Sequence, residues 1–284
     1  MKPNTAILLI HCPDQRGIVA ALAGFIASEN GNILHLDQHV DTEQNVFFAR
    51  VEWALDGFRI PRERLGEAVE QLAGPRRMNW QLFFSDRRPR LAIFVSKQSH
   101  CLYDLLARHE AGELDADIPM IVSNHPDLRP AAERFGIPFR VVSVTPGERA
   151  AVEEQATRLL ESAGVDTVVL ARYMQILSGD FVRRYPDQII NIHHSFLPAF
   201  PGAKPYHSAH ARGVKIIGAT AHYVTETLDE GPIIEQDVVR VSHRQTVGDL
   251  VRQGQDLEKV VLARAVRWHI EKRILVYHNK TVVF

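Results

Sequence analysis

The chain is poor in cysteine: its 284 residues carry only Cys12 and Cys101. Two thiols build neither a disulfide framework nor a four-thiolate zinc site, and such sparing use fits a reducing compartment, so the cytoplasm is expected. No apolar run approaches membrane-spanning length, and the run within Met1–His11 is too short for a signal peptide. Charge of one sign is not in excess either. With 33 Lys and Arg against 34 Asp and Glu the formal net charge is -1, which gives no general affinity for nucleic acid or an anionic membrane. A glycine-rich loop is also missing where a phosphate would look for one. After the first strand expected in the C-terminal two thirds comes Val95-Ser96-Lys97-Gln98-Ser99-His100, with no glycine to let backbone N–H groups cradle an anion. A nucleotide site there is disfavoured, although Lys97 and Ser99 still offer anion contacts.

What is present is an ordinary globular composition, 45% apolar and 24% charged, in a chain long enough for two domains. The N-terminal third predicts a strand over 5–11, a turn at Cys12–Gly17 and a helix over 18–29 with Val19, Leu22, Ala23 and Ile26 at helical spacing. Strands over 32–41 and 46–55 follow, then a helix opened by Pro61 and a strand over 78–84. The order is βαββαβ, a ferredoxin-like arrangement. Ser85-Asp86-Arg87-Arg88-Pro89-Arg90 is short, basic and contains proline. It reads as a solvated linker rather than a nucleic-acid patch. The expected domains are therefore 1–85 and 91–284, joined by 86–90.

In the remaining residues strands and helices alternate, which predicts a parallel α/β sheet. Its expected central strand opens the stretch Gln188–Gly202, Q-I-I-N-I-H-H-S-F-L-P-A-F-P-G. Asn191 and His193 stand two apart there, on one strand face, where the strand runs out into a loop. Open parallel sheets bind ligands at that edge. Polar side chains ending an apolar strand are costly unless partnered, so they suggest a site, although two satisfied polar groups in a turn would look the same. Thr220 and His222 share a face of a later strand. Asp229 lies in Glu226-Thr227-Leu228-Asp229-Glu230-Gly231-Pro232-Ile233, where an acid either starts a turn or tunes a neighbouring imidazole. Ala171-Arg172-Tyr173-Met174-Gln175-Ile176-Leu177-Ser178 is an apolar loop suited to a flat ring, or to core packing.

Two resemblances gather these pieces. D-Q-R-G-I-V followed by G-N-I-L, over residues 5–85, resembles an ACT domain, a small-molecule-sensing module. The resemblance implies an amino-acid effector, glycine or methionine, at Asp14, Arg16, Gly17, Asn32 and Ile33 between two copies, and a homo-oligomer such as a tetramer. N-I-H-x-S-F-L-P, A-R-Y-M-Q-I-L and H-Y-V-T-E-x-L-D-E-G-P-I-I, in that order over residues 91–240, resemble the folate-dependent formyltransferase superfamily. That resemblance implies a Rossmann-like domain in which Asn191, His193 and Asp229 are the catalytic trio. Tyr173, Met174, Gln175, Ile176 and Leu177, with His222 and Leu228, would line the folate pocket. His194 stands where proline is usual and is left outside the trio.

Joined to an ACT-like domain, the pattern resembles the deformylase branch, which hydrolyses 10-formyltetrahydrofolate to formate and tetrahydrofolate. That supplies formate for purine synthesis and balances the one-carbon pool. The missing glycine-rich loop agrees, because a transformylase acting on glycinamide ribonucleotide needs a phosphate cradle. No cofactor beyond the folate substrate and no metal is expected. His193, His194, His207, His210 and His222 span several elements without an H-x-x-x-H pair and a third ligand. A formyltransferase passing formyl to an amine, and a non-catalytic folate or amino-acid sensor, are the competing readings. In the trio, His193 either supports the oxyanion as a cation or moves a proton as a neutral ring.

Overall fold

The computed structural model describes residues 4–143, 149–198 and 205–284. The proline-rich end of the Gln188–Gly202 stretch, residues 199–202, lies outside the described residues. The chain forms two units. One holds the residues up to Arg88 with Lys272–Leu275 and Val282–Phe284, the other Pro89–Glu271 with Val276–Thr281.

The first unit runs β1 (Thr5–Pro13), α1 (Ile18–Ser28), β2 (Asn32–Asp41), β3 (Val46–Ala54), α2 (Arg62–Ala73) and β4 (Asn79–Phe84), the predicted βαββαβ order. Its sheet is antiparallel, in the order β2-β3-β1-β4. The continuous apolar runs T-A-I-L-L-I and V-F-F-A-R-V take the two inner positions, and the polar N-I-L-H-L-D-Q-H-V-D takes an edge. Ile18, Leu22 and Ile26 of α1 and Leu65, Val69 and Ala73 of α2 repeat at four-residue spacing and bury against the sheet around Trp53. Gly17 enters α1 at φ 87, a left-handed conformation that suits glycine. The tail is tied to this unit through Arg50, whose Nε donates to the Lys272 carbonyl at 3.0 Å while its Nη2 meets Glu52 at 2.9 Å.

The second unit runs β5 (Arg90–Val95), α3 (His100–Glu110), β6 (Asp117–Ser123), α4 (Arg129–Arg134), β7 (Phe139–Val141), α5 (Arg149–Ser162) and β8 (Thr167–Leu170). Then come α6 (Gly179–Arg184), β9 (Ile189–His193), α7 (Pro205–Arg212), β10 (Ile216–Tyr223), β11 (Ile233–Arg240) and α8 (Val247–Ile270). Two short strands, β12 (Ile274–Tyr277) and β13 (Lys280–Val283), pair with each other in the tail. The seven-stranded sheet has the order β11-β10-β9-β8-β5-β6-β7. Five strands are parallel as expected, while β10 is antiparallel to both β9 and β11. A short hairpin joins β10 to β11 and leaves no room for the crossover a parallel pair needs. β8, not the expected β9, is the middle strand of the seven.

One helix escaped the sequence reading. α7 buries Tyr206 and Ala209, three apart, in a cluster with Ile217, Val241 and Leu250. Its few apolar residues sit among histidines just after a proline-rich run, so the periodicity is faint. α8 buries a stripe through Leu250, Gly254, Glu258, Val261 and Val266. Its start is a complete capping box: the Thr246 hydroxyl accepts from Asp249 N–H at 3.2 Å and the Asp249 carboxylate accepts from Thr246 N–H at 2.8 Å. No helix among the described residues is long and apolar enough to cross a membrane.

Thr246→Ala removes the cap from the longest helix and should lower unfolding free energy by about 1 kcal/mol. Urea unfolding of the two proteins side by side measures it, and equal midpoints would show that the cap carries no weight.

Candidate functional site

β9 ends on Asn191 and His193, on one face of the strand. Its neighbour β10 supplies the facing pair, because the antiparallel register sets His222 opposite Asn191 and Thr220 opposite His193. Four polar side chains thus meet where parallel strands end. Thr220 is fully buried, and its hydroxyl donates to the Ser195 carbonyl at 2.8 Å and accepts from Leu197 N–H at 3.0 Å. It thereby pins the chain leaving β9. His222 is also buried. Its Nδ1 lies 2.9 Å from the Tyr223 carbonyl oxygen. A carbonyl only accepts, so Nδ1 carries the proton and Nε2 accepts from Asn191 Nδ2 at 3.2 Å. That bond orients the amide and leaves it a second N–H for another acceptor.

Asp229 arrives from the hairpin between β10 and β11. It sits at φ 59, in the left-handed region. Two residues on, Gly231 is dictated by space: a Cβ there would lie 1.8 Å from the Tyr223 carbonyl oxygen. Tyr223 N–H donates to the Pro232 carbonyl at 2.9 Å and closes the neck of the loop. The result brings Asp229 Oδ1 to 3.2 Å from His193 Nδ1 and 3.7 Å from His222 Nε2. The hydrogen bond from His193 outweighs burial and holds the Asp229 carboxyl well below the usual carboxylate range. His193 Nε2 is buried and has no hydrogen-bond partner among the described residues. The three residues selected as a trio therefore converge. His194 packs its ring against Tyr206 of α7, centroids 6.2 Å apart.

The loop expected to hold a ring divides by residue. Tyr173 and Leu177 pack against the core, Tyr173 edge-on to Phe94 at 5.3 Å, and burial pushes the Tyr173 hydroxyl up to about 12. Met174 and Ile176, with Leu228 across the way in sequence, are exposed, each more than half so. Gln175 is half-buried, and a cavity of about 300 Å³ lies between this loop and Arg149–Glu153 of α5. His222, placed by resemblance in the folate pocket, is buried behind Asn191. Sequence reasoning missed the loop's anchors. Met174 N–H donates to Ser96 Oγ at 3.0 Å, and Ser96 Oγ donates to Asn124 Oδ1 at 2.7 Å. Arg149 donates to the Ile176 carbonyl, and Glu153 accepts from Ser178 N–H at 2.8 Å. The serines ending β5 and starting α6 were the available signal.

In the first unit, Asp14, Arg16 and Gly17 lie between β1 and α1, and Asn32 and Ile33 open β2. One chain does not bring the two groups together. Thr5 and Asn32 both pair with Ala54, whereas Pro13 pairs with Val46, so the groups sit at opposite ends of the sheet, about 27 Å apart at the usual strand rise.

One group among the described residues has metal-ligand spacing, His100, Cys101 and Glu258, with ligand atoms within 4.8 Å of one another. The donors do not fit a cation. Burial first, then Glu258, pushes the Cys101 thiol well above its usual range, which disfavours a thiolate. Glu258 already has Arg172 at 3.4 Å. His207 and His210 are exposed on α7.

The formyl transferase family matches residues 89–266 and the ACT domain family residues 6–74. The chain is 60% identical over 284 residues to the formyltetrahydrofolate deformylase of Synechocystis sp., covering 100% of both chains. It superposes on the crystal structure of a formyltetrahydrofolate deformylase from Pseudomonas syringae pv. tomato with a TM-score of 0.96 at 49% identity, covering 100% of this chain and 95% of that one. Glycinamide ribonucleotide transformylase 1 from Symbiobacterium toebii aligns with a TM-score of 0.68 at 30% identity, over 72% of this chain and 98% of that one.

The depressed Asp229 carboxyl makes a pH prediction. A group lowered on folding adds stability above its unfolded value, about 4, and loses it as pH falls through the folded value. Wild-type protein should therefore exceed Asp229→Asn in unfolding free energy by most at neutral pH, with the gap closing in acid. Denaturant unfolding between pH 7 and pH 2 reads the gap directly, and a gap constant with pH would contradict the hydrogen bond to a charged carboxylate.

Proposed function

The chain belongs to the formyltetrahydrofolate deformylases of the formyl transferase family, and on that premise we propose that it hydrolyses 10-formyltetrahydrofolate with Asn191, His193 and Asp229 as its catalytic groups. The carrying observation is the 3.2 Å contact between His193 Nδ1 and Asp229 Oδ1, beside an amide already oriented by His222. Asp229 accepts from Nδ1–H and so directs the His193 lone pair to Nε2. Water attacks the formyl carbon. Its oxygen forms the new C–O bond while Nε2 takes a proton, and the carbonyl electrons move onto the formyl oxygen, where the second Asn191 N–H donates to the growing negative charge. The C–N10 bond then breaks, Nε2–H returns its proton to N10, and formate and tetrahydrofolate leave.

The pterin ring is held by the exposed apolar groups Met174, Ile176 and Leu228 at the loop framed by Tyr173, Gln175 and Leu177. With an amide and an imidazole supplying the donor and the proton carrier, the reaction calls for no metal and no cofactor beyond its folate. Formate so released feeds purine synthesis and tetrahydrofolate returns to the one-carbon pool, in the cytoplasm.

The test is formate release from 10-formyltetrahydrofolate in buffer alone, after dialysis against a chelator. Wild-type protein should turn over without any amine acceptor. Removing one oxyanion donor typically costs about 100–1000-fold, so Asn191→Ala should fall by that order, and Asp229→Ala, which removes the group orienting His193, should also lose most of its turnover, both while remaining folded. Full turnover by Asp229→Ala would remove it from the mechanism.

The N-terminal unit acts, on the same reading, as an effector domain in a homo-oligomer such as a tetramer. Because one chain separates the two groups of expected ligand residues, the amino acid binds between copies. Asp14, Arg16 and Gly17 come from one copy, and Asn32 and Ile33 from another. Glycine or methionine should alter formate release by wild-type protein and not by Arg16→Ala or Asn32→Ala. Equal responses in all three would place the effector elsewhere.

A further inference from the structure

Two carboxylates of the second unit are held in opposite ways. Glu258, on α8 and 1% exposed, accepts from His100 Nε2 and from the Tyr206 hydroxyl, each at 2.7 Å, so its own oxygens fix it. Asp229 stands instead on a loop whose other tip residues, Glu226, Thr227, Leu228 and Glu230, are exposed. Its φ of 59 is a conformation that costs a residue with a Cβ about 1 kcal/mol. Backbone bonding within the tip is thin among the described residues: Glu230 N–H donates to the Thr227 carbonyl at 3.4 Å. Yet the contact between Asp229 and His193 has little slack. It stands at 3.2 Å, and a retreat of about half an ångström would end it as a hydrogen bond. The loop therefore needs a hold from outside itself.

The tail provides one. His278 and Asn279 alone join β12 to β13, with His278 at φ 53 and the Tyr277 ring edge-on to the His278 ring at 4.2 Å. A two-residue connection is a tight hairpin turn and gives Asn279 a defined place. Its Nδ2 donates to the Glu230 carbonyl, immediately past Asp229, at 2.9 Å. The bond spans 49 positions of sequence, so local chain geometry does not produce it. Two residues on, the Thr281 hydroxyl donates to the Ile233 carbonyl at 2.6 Å. The other flank of the loop is held separately, where Arg183 Nη1 donates to Glu226 at 2.7 Å. All of these residues belong to the second unit.

We propose that Asn279 is a positioning residue for the hydrolysis: by fixing the Glu230 carbonyl it holds the Asp229 carboxylate against His193 Nδ1. A neutral imidazole carries its proton on either nitrogen, and the contact with Asp229 keeps it on Nδ1 with the lone pair at Nε2. Slackening the loop admits the Nε2–H form, which has no lone pair there to take a proton from water. An exposed hydrogen bond adds little stability, so its loss falls on turnover rather than on the fold. The proposal rests on the role given to Asp229 in the deformylase reading. The state of the ring is measured without substrate, so the two can fail separately.

Nitrogen-15 NMR of the neutral His193 ring is recorded on substrate-free wild-type protein, Asn279→Ala and Asp229→Asn, and formate release is measured on these and on the double variant. Wild type should hold the Nδ1–H form, and Asn279→Ala should show a mixture with Nε2–H. Its Tm should stay within about 2 °C of wild type, while kcat falls about tenfold with KM little changed. In the Asp229→Asn background the same change should cost less than about twofold, because the group it positions is gone. A ring in Asn279→Ala that keeps its wild-type form overturns the proposal, whatever the turnover. So does a loss at Asn279 that is as large with Asp229→Asn as without it. Should Asn279→Ala fold poorly, Asn279→Gln keeps an amide donor and Asn279→Leu keeps the bulk without one. Higher turnover in Asn279→Gln supports the proposal, and equal turnover in the two overturns it.

Discussion

The antiparallel pairing of β9 with β10 is the constraint on which the catalytic geometry depends. In a wholly parallel sheet, the strand beside β9 would return through a crossover. Here β10 runs the other way, and its register sets His222 against Asn191 and Thr220 against His193. The same reversal makes the β10–β11 hairpin, whose tight neck carries Asp229 back to the end of β9. Slipping that register by one residue would turn His222 and Thr220 to the opposite face. The trio is assembled from one strand end and one turn, and backbone hydrogen bonds fix both.

Two kinds of buried polar group lie in this unit, and they differ in completeness. Around Thr220 and Glu258 the donors and acceptors answer one another, which suits groups that hold a structure. At His193 the ring is satisfied on one side only, by Asp229, and Nε2 is left without a partner among the described residues. Buried polar atoms are ordinarily paired, so an imidazole polarised on one nitrogen and open on the other is suited to handling a proton.

Much of this was legible in the sequence. The apolar runs of β1, β3 and β9 announced buried strands. Asn191 and His193 were visible as polar residues ending an apolar strand. Asp229 joined them only through resemblance, because a lone acid before Gly-Pro reads equally well as a turn. The antiparallel reversal was not visible, since strand direction leaves no mark in side-chain alternation. Nor was the burial of Glu258: among Asp256, Glu258 and Lys259 it looks like part of a solvated helix face. The clue was its place on the stripe Leu250–Gly254–Glu258–Val261, a period that sends it inward. Arg172 was similarly masked by its apolar neighbours.

The loop carrying Met174 and Ile176 is fastened near both ends, by Ser96 at Met174 and by Arg149 and Glu153 at Ile176 and Ser178. Its backbone is already ordered before any ring arrives. A flat ligand settling on it gives up its own freedom but asks the protein to give up little. Affinity for such ligands should then follow the stiffness of the ligand itself, and compounds whose rotatable arm is locked in the bound shape would gain more here than compounds with added apolar bulk.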